Sequence, residues 1–251
     1  GKSFLYKTLV DFNKIIMRII HMVMYFAPVG VFALVASSIG KFGVAVILPL
    51  AKYLGVYGLG TLIFLLAWVA VVSLYTRVSP VELVKRVARM SLVALATTSS
   101  AVTLPIEMED AEYKLGVTKE VNKIALPLGV SLNSNGAAMH MAITILTIAQ
   151  LYGVSYGFSD MVYIVALAAF ASLANAVVPG AGLVSLSIVV PQMGLPLEAI
   201  ALFAGVEWFV GMLRTILNVD ADTFTSMLVA KSENKLNYDV YAKDYQYATS
   251  D

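Results

Sequence analysis

The apolar segments of this chain are long enough to cross a bilayer, yet several carry polar residues, glycine and proline at their middle. The sharpest case is "SLNSNGAAMH", residues 131–140, set between "VNKIALPLGV" and "MAITILTIAQLYGV". Two amides, two hydroxyls and a glycine serve neither a plain membrane anchor nor a core helix. Irregular backbone survives at membrane depth only where it is buried in protein or lines a wet cavity. The stretch therefore reads as a break in a membrane helix, shaped to hold an ion and part of a solute.

Composition puts the rest of the chain in the same solvent. Of 251 residues, 59% are hydrophobic and 13% charged, against about 45–50% and about 25% in soluble domains. With a mean hydropathy of +0.83, the chain reads as an all-α, polytopic membrane protein. No basic stripe interleaved with aromatics is present, which argues against nucleic acid as a partner. The absence of cysteine excludes disulfide scaffolds, thiolate metal sites and cysteine nucleophiles. His21 and His140 alone supply imidazole, too few for a zinc site pattern. The opening "GKSFLYKTLVDFNK" has no apolar core with a small-residue cleavage site, so it is no signal peptide. The expectation is a chain that begins inside a longer protein.

Spanning helices need about 20 mostly apolar residues. A first helix is expected over about 15–39, broken by "APVG" at 27–30, and a second over about 44–75. From Pro80 to Gly116 the pattern changes: an amphipathic arm meets "TTSSAVTLP" and the chain then turns polar at "EMEDAEYK". That suits a re-entrant hairpin better than a span. After the broken segment over about 119–152 comes "MVYIVALAAFASLANAVVPGAGLVSLSIVVPQMG", a second apolar arm, polar tip and apolar arm. A last helix is expected over about 197–230, followed by a polar, Tyr-rich tail expected to be soluble and poorly ordered. Paired interrupted segments of this kind point to a secondary transporter with inverted repeats. Lys and Arg gather before the first helix, after the second, before the broken helix and after the last. "LYGVSYGFSD" and "PQMGLPLEA" have none, so the positive-inside rule makes the first set and the C-terminus cytoplasmic, with Lys41 the exception. The two hairpins then dip from opposite sides.

The last helix carries Glu207, Gly211, Arg214, Asn218 and Asp222 at spacings of four, three, four and four, all on one face. An internal salt bridge is one reading. Against it, Glu207 lies about 10 Å from Arg214 along the axis and Asp222 about 12 Å, at about 1.5 Å per residue. Arg214 is therefore expected to take an anion from elsewhere, and its planar fork suits a carboxylate. Asn218 and Asp222 offer oxygens to a hard cation. Asn133 and Asn135 either bridge helices or mark an unwound segment whose carbonyls bind a cation. Ser99 and Ser100 offer hydroxyls and N–H groups to a carboxylate, and "VPGAG" gives the second hairpin a gate's flexibility. His140 is either packed and neutral or a proton carrier.

The stretches "TTSSAVTLP", "LPLGVSLNSNGAAM", "ASLANAVVPGAGLVSLSIVV", "GLPLEAIALFAGVEWFVGMLRTILNVDAD" and "VAK" resemble the dicarboxylate/amino acid:cation symporters, a family that includes the archaeal aspartate and animal excitatory amino acid transporters. The resemblance covers about residues 14–235 and corresponds to the family's C-terminal part. It implies a homotrimer in the cell membrane, with a static scaffold and a transport domain that moves like an elevator. Residues 1–42 would be a scaffold helix. Residues 43–231 would be the transport domain: the long helix, hairpin 1 at about 80–116, the broken helix at about 119–152, hairpin 2 at about 159–193 and the last helix at about 197–230. Residues 232–251 would be a cytoplasmic tail.

By the same resemblance, Gly129, Asn133, Asn218 and Asp222 match a first Na+ site, and Ser131, Ser172, Leu173 and Asn175 fall at a second. Arg214 matches the arginine that holds the substrate's side-chain carboxylate. Ser99, Ser100, Val178, Gly182 and Asn218 fall at substrate-lining or gating positions. Three residues depart from the family pattern. Asn135 stands where a carboxylate is usual and leaves one cation site degenerate. Ala137 replaces a hydroxyl that contacts substrate. Gly211 replaces an aspartate that binds the substrate's amino group. The expected function is a secondary active symporter of acidic amino acids or dicarboxylates, coupled to Na+ and not an enzyme. Gly211 and Ala137 favour a dicarboxylate without an amino group, so succinate is expected to compete at least as well as aspartate. The alternatives are a proton-coupled or uncoupled carrier, or an anion channel on the same fold.

Overall fold

The structure, a computed structural model, describes residues 4–174 and 180–241. It is helical throughout these residues; the one β feature among them is an isolated antiparallel bridge between Val117 and Leu236. The first expected helix divides as its "APVG" break implies, into α1 (Phe4–Tyr25) and α2 (Ala27–Phe42), with Pro28 in the first turn of α2. A short 3-10 turn (Val44–Val46) leads into α3 (Ile47–Thr76).

Among the described residues, Val44–Thr76 is the one helical stretch long and apolar enough by itself to cross a membrane. Its 33 residues reach about 50 Å, against about 30 Å of bilayer hydrocarbon, so it has length to tilt. One stripe is buried, through Leu50, Tyr53, Tyr57, Thr61, Val69, Val72 and Thr76, while Leu59, Leu62, Ile63, Leu66 and Leu74 stand exposed on the other side. Such an apolar outer face suits lipid rather than water.

Next come α4 (Pro80–Thr97) and α5 (Ser100–Tyr113), packed on each other as a hairpin. Pro80 starts α4, where a missing N–H costs nothing. Thr98 ends it in the left-handed region at φ 49°. Ser99 then caps α5, its hydroxyl accepting from the Val102 N–H at 3.4 Å. The hydroxyl cluster is thus the turn between two short helices. The broken helix resolves into α6 (Lys119–Leu132) and α7 (Asn135–Leu151), interrupted at Asn133 and Ser134. The second hairpin is α8 (Phe158–Ser172) and α9 (Ala181–Gln192). Its expected tip, including Asn175 and Val178, lies outside the described residues.

The last helix differs from the single element expected over about 197–230. Leu197–Gly205 is a 3-10 helix, and α10 (Glu207–Ser232) leaves it at 85°. Pro196 precedes the 3-10 segment, and the bend places Phe203 edge-on to Tyr53, ring centroids 4.9 Å apart. Tertiary burial of Phe203 therefore overrides a continuous helical pattern. Downstream, α10 is the central element, touching α3, α4, α5, α6, α7 and α9. It separates two apolar cores, one around Tyr53, Tyr57, Met141 and Phe203, the other around Met90, Val219, Phe224 and Met227.

The tail's described residues, up to Tyr241, are also more ordered than their polarity suggests. They strap the base of the first hairpin. Tyr238 donates to the Thr76 carbonyl at 2.7 Å and Tyr241 to that of Leu115 at 2.9 Å. Arg86 donates to the Lys114 and Val240 carbonyls and stacks 4.7 Å above the Tyr241 ring. Tyrosines that join an apolar body to a hydroxyl tip are what order this segment.

One glycine fixes how the broken helix meets α10. A Cβ on Gly136 would meet the Arg214 Cα at 2.8 Å and its carbonyl carbon at 2.9 Å, atoms of a backbone that cannot swing aside. Gly136→Ala is expected to cost about 1–3 kcal/mol or more through overpacking. Gly55, in α3, has no neighbour within 4 Å of a new Cβ, so Gly55→Ala is expected to be neutral or to gain roughly 0.5–1 kcal/mol. Thermal unfolding of the two variants in detergent checks the contrast.

Candidate functional site

The site forms where the break between α6 and α7 lies against α10. Helix termini leave N–H and C=O groups without intrahelical partners, and here α10 and α3 supply partners at the break. The Gly136 N–H donates to Asn218 Oδ1 at 2.7 Å. Its carbonyl accepts from the Tyr57 hydroxyl of α3 at 2.9 Å. Asn133 Nδ2 donates to Asp222 Oδ1 at 2.6 Å, one turn further along α10. Asn133 therefore bridges helices and stands at the break between α6 and α7 at once. Tyr57, unremarked in the sequence, sits among apolar α3 residues that gave no signal of a polar role.

Gly129 packs against the same carboxylate: a Cβ there would meet Asp222 Oδ1 at 2.8 Å. Asp222 is buried, and its Oδ2 has no hydrogen-bond partner among the described residues. Gly129, Asn133, Asn218 and Asp222 thus converge on one short length of α10. An orphaned buried carboxylate oxygen beside amide and carbonyl oxygens is a donor set that suits a hard cation. Asn135 opens α7 half-buried. Ser131 is exposed and donates to the Pro127 carbonyl at 2.9 Å, while Ser172 is buried and donates to that of Ala169 at 2.7 Å. Each of these two hydroxyls is turned to its own helix, and Leu173 caps α8 with its side chain exposed.

A second polar cluster lies toward the start of α10. Arg214 Nη1 donates to Glu207 Oε1 at 3.0 Å, with side chains 3% and 8% exposed. This corrects the expectation that Glu207 is out of Arg214's reach. Seven residues make almost two full turns, so both side chains leave the helix on one side. Helical side chains lean toward the N-terminus, and the long arginine closes the axial gap. Arg214 Nη2 and Glu207 Oε2 remain without hydrogen-bond partners among the described residues, as do both ring nitrogens of His140 and the Thr98 hydroxyl.

Gly182 of α9 presses directly on this cluster. A Cβ there would collide with Arg214 Nη1 and come within 2.7 Å of Glu207 Oε1 and 2.8 Å of His140 Cε1. A Cβ on Gly211 would lie 3.4 Å from Thr98 Cβ and 3.7 Å from Arg214 Nη2. The tip of the first hairpin, with buried Thr98, Ser99 and Ser100, therefore approaches the guanidinium from the Gly211 side. Ala137 belongs instead to the apolar core beside Tyr57 and Met141. Two further buried carboxylates went unmarked in the sequence. Glu107 accepts from Thr223 at 3.0 Å and Asp220 from Ser91 at 2.7 Å.

Comparison with known proteins gives a family for the chain. Residues 1–232 match the family described as "Sodium:dicarboxylate symporter family". Excitatory amino acid transporter 2 of Homo sapiens is 32% identical over 239 residues, 90% of this chain and 41% of the relative. Neutral amino acid transporter B(0) of Mus musculus is 34% identical over 222 residues, 87% and 40% of the two chains. The proton/glutamate-aspartate symporter of Bacillus subtilis is 32% identical over 220 residues, 88% and 53%. The chain thus spans about half, or less, of the length of these relatives.

Proposed function

The chain belongs to the sodium:dicarboxylate symporter family, and from that premise we propose that it carries the solute and ion sites of a secondary active symporter. Its solutes are acidic amino acids or dicarboxylates, its coupling ion is sodium, and its movement is of the elevator type. It works as a homotrimer in the lipid bilayer of the cell membrane, crossing it several times with the C-terminus cytoplasmic.

One observation carries the reading. A single buried helix face holds a guanidinium with an unpaired N–H donor at Arg214 and, two turns on, a carboxylate with an unpaired oxygen at Asp222. The first suits a solute carboxylate. The second, with Asn133, Asn218 and the Gly129 backbone, suits sodium. The two positions share parts. Asn218 holds Gly136, and Gly136 rests on the Arg214 backbone. Occupancy of either position biases the same α7–α10 contact, which is the physical requirement for coupling. Ser99, Ser100 and Gly182 bring both hairpins to the solute position, and Val178 and Asn175 are assigned to the second hairpin's tip by the family pattern alone. Ser131, Ser172 and Leu173 complete the proposed second sodium position once the hairpins rearrange.

Asn135 favours a second reading. An amide in place of a carboxylate leaves one cation position without charge, which fits coupling to protons, or an uncoupled carrier or anion channel.

Uptake of labelled aspartate and succinate into proteoliposomes separates these. Concentrative uptake driven by an inward sodium gradient is expected. Uptake driven by a proton gradient alone supports the second reading, and ion flux without accumulation indicates a channel.

Sodium is also expected to raise the unfolding temperature in mass-action fashion. Saturation at about 100 times the dissociation constant corresponds to about 2.7 kcal/mol. Asp222→Asn is expected to abolish most of this rise while leaving the sodium-free unfolding temperature within a few degrees. Unfolding curves across a sodium series with choline as the balancing ion check it.

A further inference from the structure

The Arg214 cluster holds an acceptor as well as a donor. Glu207 uses Oε1 on Arg214 Nη1, and its other oxygen, like Arg214 Nη2, is buried without a hydrogen-bond partner among the described residues. We propose that Glu207 is the ammonium acceptor of the solute site, so that the site takes a carboxylate bearing an α-amino group in preference to a plain dicarboxylate. This rests on the reading of Arg214 as the carboxylate position.

Three observations carry it. The first is geometric. Glu207 lies one turn before Gly211 on the same face of α10. Gly211 is bare, and its Cβ position is 3.7 Å from Arg214 Nη2. A missing side chain at Gly211 removes an ammonium partner only if no other carboxylate reaches the site. Glu207 reaches it, and is held there by Arg214.

The second is charge. Arg214 and Glu207 sum to zero, and both are buried. One solute carboxylate on Nη2 and the ammonium of the same solute on Oε2 together add nothing to that sum. A bare carboxylate satisfies Nη2 but leaves a negative charge beside an unpaired Glu207 oxygen in a water-poor setting, which is heavily penalised.

The third is the count of unpaired buried groups. His140 leaves both ring nitrogens without partners, and Thr98 its hydroxyl. Gly182 of α9 packs directly against Arg214, Glu207 and His140. Buried polar groups without partners are rare in folded proteins, and several gathered about Arg214 mark a place for a polar ligand. A site built to accept a hydrogen bond from its solute discriminates strongly against the analogue that lacks the donor.

Aspartate and succinate differ by the amino group alone, so they form the test pair. Equilibrium binding of each to the protein in proteoliposomes, at fixed saturating sodium, is measured for wild type, Glu207→Gln and Glu207→Asp. Wild type is expected to bind aspartate at least about tenfold more tightly than succinate. Glu207→Gln is expected to weaken aspartate by about tenfold or more and to leave succinate unchanged or tighter. Glu207→Asp, which keeps a carboxylate, is expected to retain the aspartate preference. Equal loss of both solutes in Glu207→Gln overturns the proposal and makes Glu207 a support for Arg214. A wild-type preference for succinate also overturns it, with the carboxylate reading intact; that ratio needs no variant, so it decides even if Glu207→Gln fails to fold. Absence of binding of either solute to wild type removes the carboxylate reading and the proposal together.

Discussion

The centre of this protein hangs on the contact between Gly136 and the backbone of Arg214. Only a residue without a Cβ lets the start of α7 rest on α10 at that point. Once there, its peptide groups are claimed from both sides, the N–H by Asn218 of α10 and the carbonyl by Tyr57 of α3. Three helices are therefore pinned at one residue in the middle of a polar interruption. The interruption is stable because its freed backbone groups meet fixed partners, which lipid cannot supply. It is also useful for that reason. Of the residues that satisfy the break, Asp222 keeps one carboxylate oxygen without a partner among the described residues.

Much of this was legible in the chain, because the devices are local. Hydroxyls followed by a proline, an Asn-Ser-Asn-Gly run and a five-residue polar face at helical spacing each signal through sequence neighbours. Asn133 bridges helices, one of the two readings open to it, and α10 buries its polar face, while Ser99 proves to be a helix cap. What escaped depends on packing between distant segments. The bend at Val206 exists so that Phe203 can meet Tyr53, about 150 residues earlier in the chain. The ordered tail depends on Arg86 and on the carbonyls of Thr76 and Leu115. Glu107 finds Thr223, and Asp220 finds Ser91, across helix pairs that no periodicity describes.

The reach of Arg214 to Glu207 was missed for a different reason. Axial rise measures the distance between backbones, and the meeting of two long side chains depends on how far and in which direction they extend. Arginine leaning toward the N-terminus covers more than a turn. The same direction explains why Asp222, at a similar axial distance on the C-terminal side, takes Asn133 as its partner instead.

Stability alone is a poor explanation for that pair. Two charges removed from water gain about as much from each other as they lose, and an apolar pair of equal volume often holds a core better. Here the exchange is less favourable still, since each partner leaves a polar atom unmatched. The ion pair of Arg89 with Asp110 and Glu109 shows the contrasting use, because it ties α4 to α5 with its guanidinium partly exposed. Glu207 and Arg214 lie on a single helix and join no two elements to each other. Their unmatched atoms instead belong to the cluster that Gly182, His140 and Thr98 pack around. A pair that fastens nothing and holds one donor and one acceptor in reserve is arranged for a ligand that brings one of each.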